Sequence, residues 1–383
     1  MWQSIRLIRL THFVFLVVLI GHLLIIGKQL LIPAAFGLLL AFLLYPIVKW
    51  LEGRVKRPAL PILLAVLLAF VPIGLIIWFF SMEITMMIRN LGSIDTELRS
   101  GLDQLFQIAS EWSGMTPTEE KHWFNVQIEG LLDRSFGTIT TFLASSTTVL
   151  AELIITLIFT FFILLYRKPF HEFLLIQFPE ESRPEVSATL MDAKVISRNY
   201  VTGLAVLTLV LAVMYSIGLW IIGIPYAPFW GMLMAVMNII PYIGNLLGLI
   251  FLCLYALAST GGLLAPVLVL AIHFFIQTLE GNLIRPYIVG SNVNVNALAA
   301  ILSFLVGGFM WGVAGLVLAL PYTAILKVIC DRISFLQPVG ELLGSGISPQ
   351  GGLLTKYDAK KFQLNQFFNR IIGPRAPGGR EGN

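Results

Sequence analysis

Charged residues are scarce in this sequence. Only 12% of its 383 residues are Asp, Glu, Lys or Arg, whereas soluble proteins average about 25%. Hydrophobic residues make up 57% of the chain, and several apolar runs reach about 20 residues, the length at which a helix crosses a bilayer. This composition excludes an ordinary soluble protein. It predicts an all-α polytopic membrane protein.

Cysteine and the common catalytic motifs are also nearly absent. The two cysteines, Cys253 and Cys330, lie in apolar segments without a partner spacing, so we expect neither a disulfide framework nor a metal site. A P-loop, an HExxH motif and a GxSxG motif are missing, which argues against ATP-driven transport, zinc proteolysis and serine-hydrolase chemistry. The net charge of +4 is too small to indicate a nucleic-acid partner. We therefore expect no enzyme and no cofactor.

Eight apolar segments are candidate membrane spans. They lie at residues 10–27, 31–50, 60–80, 149–166, 203–222, 224–259, 263–283 and 297–329. The sixth is broken by Pro241 and Gly244, and the last by several glycines and Pro321. Because proline and glycine both favour a break in a helix, either segment could be a re-entrant hairpin instead of a span.

The sequence predicts four regions with distinct compositions. They are an N-terminal three-span region at 1–81, a polar helical insert at 82–147, a transport core at 148–336 with a helical loop at 167–199, and a Gly- and Pro-rich tail at 337–383. The insert holds nine acidic and four basic residues, whereas the loop holds five basic residues. Since basic residues favour the cytoplasmic side, both termini are expected in the cytoplasm and the insert outside. We expect the tail to be mostly disordered.

The broken segment carries the first candidate site. An unwound backbone is too costly in lipid, so a broken helix must lie inside protein or line a wet cavity, as it does in transporters. The candidate residues here are Asn238, Pro241, Tyr242, Gly244 and Asn245. The two asparagines flank the break and could present amide groups to a polar solute. The alternative is a plain proline kink, with the asparagines capping the half-helices.

Glu280 and Arg285 are the only charged residues between Asn199 and Leu326. A charge at bilayer depth costs at least ~3 kcal/mol, so it indicates a function by default. Glu280 shares a helix face with His273 and Gln277 at i, i+4 and i+7 spacing. The further candidates Asn282 and Pro286 follow it directly. We expect Glu280 to be a coupling or gating carboxylate. The alternative is that it lies at the membrane interface, paired with Arg285.

Glu152 is a second protonatable candidate. It lies in a stripe of hydroxyl side chains at helical spacing: Thr141, Ser145, Thr148, Thr156 and Thr160. Such a stripe is typical of a wet pathway, but also of helices that pack closely through small residues and hydroxyls. Both interpretations stay open at this point.

The motifs in chain order resemble those of the autoinducer-2 exporter family of bacterial permeases. The most specific are NIIPYIG at 238–244 and EGNLIRPYIVG at 280–290, supported by the glycines between 307 and 315 and by Pro33 through Pro46. The resemblance covers about residues 10 to 335. One departure is Leu204 after Gly203, where the family often has a polar glutamine.

The resemblance implies a bacterial inner-membrane protein with about eight spans and an extracytoplasmic insert after the third. It implies export of a small polar signal molecule by some members and exchange of sodium or lithium for protons by others. It also implies homo-oligomers, a pentamer among them. We therefore expect a secondary transporter of a small polar solute. The alternatives are a sodium(lithium)/proton antiporter and a non-transporting membrane scaffold. The expected partners are the solute, H+ or Na+ as coupling cation, the bilayer and further copies of the chain.

Overall fold

The computed structural model describes residues 2–55, 57, 59–89, 146–240, 243–288, 295–333 and 336–344. Its helices are α1 (Trp2–Ile26), α2 (Lys28–Glu52), α3 (Ala59–Arg89), α4 (Ser146–Leu165), α5 (Arg167–Ile176), α6 (Arg183–Ile221), α7 (Ala227–Met237), α8 (Ile243–Thr260), α9 (Leu264–Leu279), α10 (Arg285–Ile288), α11 (Ala297–Arg332) and α12 (Gln337–Leu343). A 3-10 turn precedes α6, and a π-helical turn (Glu280–Ile284) joins α9 to α10. Within these ranges the chain forms no strands.

The chain divides into two compact units. The first unit comprises Met1–Phe36, Arg167–Arg198 and Asn292–Asn383, and the second comprises Gly37–Tyr166 and Asn199–Ser291. The boundaries therefore fall inside α2, between α4 and α5, inside α6, and between residues 291 and 292. The predicted insert lies mostly at 90–145 and the tail mostly at 345–383, both outside the described residues. Helix α3 continues to Arg89, beyond the boundary predicted at residue 81.

Six helices among the described residues are long and apolar enough to cross a membrane. They are Lys28–Glu52, Ala59–Met87, Glu180–Ile221, Ile243–Thr260, Leu264–Ile288 and Ala297–Arg332, and the pair α4 and α5 raises the count to seven if it is one bent span. The predicted all-α polytopic fold is thereby confirmed. The count differs from the predicted eight because the apolar part of α1, Val14–Ile26, is shorter than a span and α4 is counted only together with α5.

Helices α7 and α8 form an antiparallel hairpin, here called the first hairpin. Helix α7 has only 11 residues, about 16 Å, which is too short for a hydrocarbon core of about 30 Å. A methyl group built on Gly248 would lie 2.9 Å from the Met234 sulfur, and one on Gly244 would overlap the carbonyl of Met237. The tip of the hairpin follows Asn238. There the amides of Ile239 and Ile240 donate hydrogen bonds to the carbonyls of Val236 and Met237. Pro241 and Tyr242 themselves lie outside the described residues.

Helix α11 is a second hairpin, with its turn at Gly312. This glycine has φ 60° and ψ −136°, a conformation that side chains with a Cβ rarely adopt. The arms, residues 297–311 and 313–332, run antiparallel, because Thr323 Oγ1 donates a hydrogen bond of 2.7 Å to Ser303 Oγ. Gly307 and Gly315 meet backbone to backbone. The apolar run at 297–329 is therefore not one continuous span.

Two side chains of the second hairpin donate hydrogen bonds to backbone carbonyls elsewhere in the first unit. Trp311 Nε1 donates to the Leu24 carbonyl at 2.9 Å. That carbonyl lies in the last turn of α1, where it has no partner within its own helix. Tyr322 OH donates to the Ala35 carbonyl at 2.9 Å. These bonds fix the hairpin against α1 and the start of α2.

The base of the second hairpin is closed by α12. Asn296 caps α11 by accepting from the Ala299 amide at 2.8 Å. Its side-chain amide donates to the Leu342 carbonyl at 2.5 Å and to the Gly344 carbonyl at 3.1 Å. The expectation of a disordered tail after Leu336 is wrong for residues 337–343. Those residues gain helix and tertiary bonds that composition does not reveal.

The second unit contains two apolar clusters. One lies between α6, α7, α8 and α9, with Tyr215, Met234, Leu252 and Val269 almost fully buried. The other joins α2, α3 and α4. Moving apolar surface out of water contributes about 25 cal/mol per Å² to stability. A helix surrounded by lipid gains little in this way, so close packing and hydrogen bonds between helices are more important there. The first cluster positions the polar residues described next.

Candidate functional site

Glu280 is the buried centre of the candidate site. Its side chain is only 2% exposed. It opens the π-helical turn Glu280–Ile284, in which the Arg285 amide donates to the Glu280 carbonyl five residues back. Residues five apart do not face each other on an α-helix, but this wider turn brings them together. Arg285 NH2 accordingly donates to Glu280 Oε1 at 2.5 Å.

Pro286 gives a local reason for the π-helical turn. In an α-helix its ring would clash with the carbonyl four residues earlier, at Asn282, and its missing N–H would leave that carbonyl without its usual donor. Widening the turn relieves this conflict, and π-turns are frequent at functional sites. The sequence EGNLIRP thus places an acid and a base in contact across one turn.

The tip of the first hairpin is bonded to the same carboxylate. Asn238 Nδ2 donates to Glu280 Oε1 at 2.9 Å, and Asn238 is itself buried. One carboxylate oxygen therefore accepts both the amide and the guanidinium. The other oxygen, Glu280 Oε2, is fully buried and has no hydrogen-bond partner among the residues that the structure describes. An unpaired buried oxygen of a charged group is costly, which makes it a position for a bound donor.

A chain of hydrogen bonds extends the cluster along α9. Gln277 Nε2 donates to Tyr215 OH at 3.2 Å, and the phenol lies 3.0 Å from His273 Nδ1. Since the phenol oxygen accepts from Gln277, its single proton is available for Nδ1. Donation to Nδ1 corresponds to the His273 tautomer that carries its proton on Nε2. The two α9 residues lie four apart on the helix face that also carries Glu280, as the spacing predicts.

The remaining sequence candidates lie at different places. Asn245 is half-buried with its Oδ1 enclosed and without a partner among the described residues, and Gly244 is buried beside Met237. Asn282 is exposed and donates to the Thr278 carbonyl of its own helix at 2.9 Å. Pro286 is exposed. Pro241 and Tyr242 fall outside the described residues.

Glu152 is exposed on α4. In its hydroxyl stripe, Thr156 and Thr160 donate to carbonyls four residues back, and Thr160 Oγ1 also lies 3.3 Å from the Gly37 carbonyl. A methyl group on Gly37 would press on α4 at Phe159. The described part of the stripe therefore serves close packing of α4 on α2, the second of the two interpretations.

Tyr215 is the site residue that sequence reasoning missed. It is 0% exposed. It lies in an apolar run of α6, in which a tyrosine cannot be distinguished from other aromatic residues that only pack. The available signal was its hydroxyl, since a tyrosine buried in a span needs a hydrogen-bond partner. In the structure the partners are His273 and Gln277 of α9. They lie too far from Tyr215 in the sequence for any local pattern to indicate the contact.

The site presents two kinds of group to a ligand: buried hydrogen-bond acceptors and a pair of opposite charges. Glu280 Oε2 and Asn245 Oδ1 are buried acceptors without a hydrogen-bond partner in the described ranges. The Arg285 guanidinium balances the Glu280 carboxylate, so the pair is neutral overall. No group of three His, Cys, Asp or Glu side chains that could hold a metal ion occurs within the described ranges. The site is suited to a polar ligand that donates hydrogen bonds, or to a monovalent cation.

We expect Tyr215→Phe to lower the free energy of unfolding by about 1–3 kcal/mol, because it leaves His273 and Gln277 without their shared partner. The matched control is Tyr287→Phe, since Tyr287 is 88% exposed and should tolerate the change. Thermal unfolding of the purified protein in detergent measures both. Equal midpoints for the two variants would contradict the hydrogen-bond chain.

Hairpins of interrupted helices, with a buried carboxylate bonded to one hairpin tip, are typical of membrane transport proteins. A family model described as AI-2E family transporter matches residues 13–335. The chain therefore belongs to the AI-2E family of transporters, and the predicted family is confirmed.

Several named relatives are similar over most of their length. YrrI of Bacillus subtilis is 27% identical over 338 residues, which cover 86% of this chain and 94% of YrrI. YueF of the same organism is 28% identical and covers 78% of this chain and 83% of its own. The protein named AI-2 transport protein TqsA of Escherichia coli is 23% identical, covering 86% of this chain and 95% of TqsA. All three names describe transport proteins, and the chain is a multi-pass membrane transporter.

Proposed function

We propose that this transporter moves a small polar solute past the tip of the first hairpin, with Glu280 as the gating or coupling carboxylate. A molecule like autoinducer-2 is the first candidate solute, because the relative TqsA is named for AI-2 transport. The transport is secondary, driven by a gradient, and changes no covalent bond in the solute. The bacterial inner membrane is the proposed location.

The observation that carries this proposal is the unpaired, buried oxygen of Glu280. A charge retained at such depth costs several kcal/mol unless it is satisfied, so its unused acceptor supports a bound donor. Because Arg285 neutralises the carboxylate, a neutral solute with hydroxyl groups needs no second countercharge. A hydroxyl at Oε2 would complete the carboxylate's hydrogen bonds.

The first hairpin supplies a gate for such a solute. Its tip is held to the site by the Asn238–Glu280 hydrogen bond of 2.9 Å. A solute donor that competes for the carboxylate weakens that bond, and so couples occupancy of the site to the position of the tip. A short turn between two half-helices is where such a movement costs least, because few packed residues must shift.

We expect Asn238→Ala to lower the initial rate of autoinducer-2 uptake into proteoliposomes about tenfold or more, since a hydrogen bond to a charged group is worth about 1.5–3 kcal/mol. The matched control is Asn282→Ala. Asn282 is the same residue type two positions after Glu280, but it bonds only its own helix, so uptake should persist. A loss of uptake in both variants, or in neither, would reject a gate at Asn238.

Sodium/proton antiport is the second candidate function. The observations in its favour are two buried oxygens without hydrogen-bond partners among the described residues, Glu280 Oε2 and Asn245 Oδ1. Glu280 is also bonded to Asn238 at the carbonyl end of α7, where the helix dipole attracts cations. Radioactive sodium uptake against an imposed pH gradient separates the candidates. An antiporter takes up sodium in the absence of autoinducer-2, whereas a solute exporter does not.

We also propose an even number of crossings with both termini in the cytoplasm. Replacing two single spans by two hairpins reduces eight crossings to six, formed by α1, α2, α3, α4, α6 and α9. Because the total stays even, the predicted orientation and the outward insert are retained. Homo-oligomers of the chain remain part of the proposal. Native mass spectrometry from detergent measures the subunit number.

A further inference from the structure

Helix α5 presents its apolar side chains outward. None of its ten residues is buried. Phe170 is 55%, Phe173 57% and Ile176 63% exposed. At 100° per residue these three side chains, with Leu174, occupy one face of the helix. Exposed aromatic residues in such density are unusual on a surface that faces water.

The opposite side of α5 meets the protein through a mostly polar stripe. Arg167, His171 and Leu175 recur every four residues and are the half-buried positions of the helix. His171 Nε2 lies 3.3 Å from Ser187 Oγ of α6, within the first unit. A helix packed on a soluble core shows the reverse pattern, with its apolar face inward and its polar face in solvent. The environment outside α5 is therefore apolar.

The position of α5 in the chain identifies that environment. Helix α4 has 20 mostly apolar residues, Ser146–Leu165, or about 30 Å, which is long enough to cross the hydrocarbon core. The chain then bends by 65° at Tyr166 before α5 begins. A helix joined to a span by one residue must start at the membrane boundary. Amphipathic helices at that boundary lie in the membrane plane, with the apolar face at the border between headgroups and acyl chains.

We infer that α5 is an in-plane membrane helix whose partner is the lipid interface, with Phe170, Phe173 and Ile176 inserted. The remaining exposed charges of the helix, Lys168 and Glu172, have opposite signs. The contact is therefore driven by apolar insertion and does not require anionic lipid. This inference depends only on the chain crossing the membrane, and it holds whatever the transporter carries.

The test is site-directed spin labelling of the full chain in lipid nanodiscs. Single cysteines replace Phe173 or Ile176 on the apolar face, in a background with Cys253→Ser and Cys330→Ser. The matched control is Lys168→Cys, an exposed position on the polar side of the helix, about 140° around the helix from Phe173. Collision rates of each label with oxygen, which partitions into lipid, and with a water-soluble nickel chelate are measured in phosphatidylcholine and again with phosphatidylglycerol added.

We expect a several-fold higher oxygen-to-nickel ratio at 173 and 176 than at 168, unchanged by phosphatidylglycerol. Equal nickel accessibility at all three positions would overturn the inference, because α5 would then lie in water. Low accessibility to both reagents at 173 and 176 would also overturn it, since a second copy of the chain would cover the face. A ratio that rises only with phosphatidylglycerol would reject apolar insertion as the driving force.

A second variant tests insertion without relying on a label on the apolar face. Phe173→Glu places a charge among the inserted side chains, and should raise nickel accessibility of a label at Ile176→Cys several-fold. Lys168→Glu, a charge change on the polar side of the helix, should leave that label unaffected. Size-exclusion profiles identical to the parent protein establish that both variants are folded. An unchanged label in Phe173→Glu contradicts the inference.

Discussion

Glu280→Gln is expected to reduce autoinducer-2 flux in proteoliposomes to about 1–10% of the parent rate. Glutamine keeps the shape of the side chain and lets one oxygen accept from Asn238 and Arg285. Its NH2 group then replaces Oε2, so a donor stands where the structure has its unused acceptor. A donor from the solute loses a charge-assisted hydrogen bond, worth about 1.5–3 kcal/mol, which corresponds to a 10- to 100-fold effect.

Glu152→Gln is the matched control for this prediction. It neutralises the other candidate acid of the sequence at an exposed position on α4, so flux should stay near the parent value. Initial rates are compared at equal protein density, with unfolding midpoints measured in parallel. Undiminished, gradient-coupled flux in Glu280→Gln would reject the role of Glu280. Loss of flux in Glu152→Gln alone would move the site to α4.

Gly315→Ala is expected to lower the free energy of unfolding by about 1–3 kcal/mol, or to prevent accumulation of folded protein. A methyl group at this position would overlap the carbonyl of Gly307 in the other arm of the second hairpin. Backbone cannot move aside as a flexible side chain does, so the arms must separate, at the cost of an overpacked core. The higher helix propensity of alanine offsets at most about 1 kcal/mol.

The control for the second hairpin is Gly308→Ala. A methyl group there would meet only the Leu316 side chain, 3.0 Å away, and that side chain can adopt another rotamer. Thermal unfolding in detergent, followed by tryptophan fluorescence, measures both variants. The expected order is parent and Gly308→Ala close together, and Gly315→Ala clearly lower. If both glycines tolerate alanine equally, the arms of α11 do not pack backbone to backbone.

The break at 238–245 was predictable because proline and glycine interrupt an apolar run there. Whether the run continued across the membrane or turned back was not. Both outcomes use the same apolar residues, and only the contacts of Gly244 and Gly248 with α7 distinguish them. For 297–329 the same ambiguity was decided by the positive φ of Gly312 and by the bond between Ser303 and Thr323.

The Glu280 site was predicted in part for the same reason. A lone acid in an apolar half is visible in the sequence, and so is its helix face. Its pairing with Arg285 depends on the π-turn, and its bond to Asn238 joins residues 42 positions apart. Tyr215 stayed unrecognised because its partners come from another helix. In the sequence, Glu152 and Glu280 are both single acids within apolar segments. Only the structure distinguishes them, because Glu152 is exposed on α4 and Glu280 is buried.

The amino-acid sequence by itself determined that this protein is helical, crosses the membrane, belongs to a transporter family and keeps one acid and two broken segments in its apolar half. Those properties follow from composition, from the spacing of apolar residues and from short motifs. Each of these can be recognised within a short stretch of the chain. The tertiary structure alone decided which segments fold back, which oxygen of Glu280 is left unused and which face of α5 points outward. Each of these depends on contacts between residues far apart in the chain, and such contacts form only when the helices are packed.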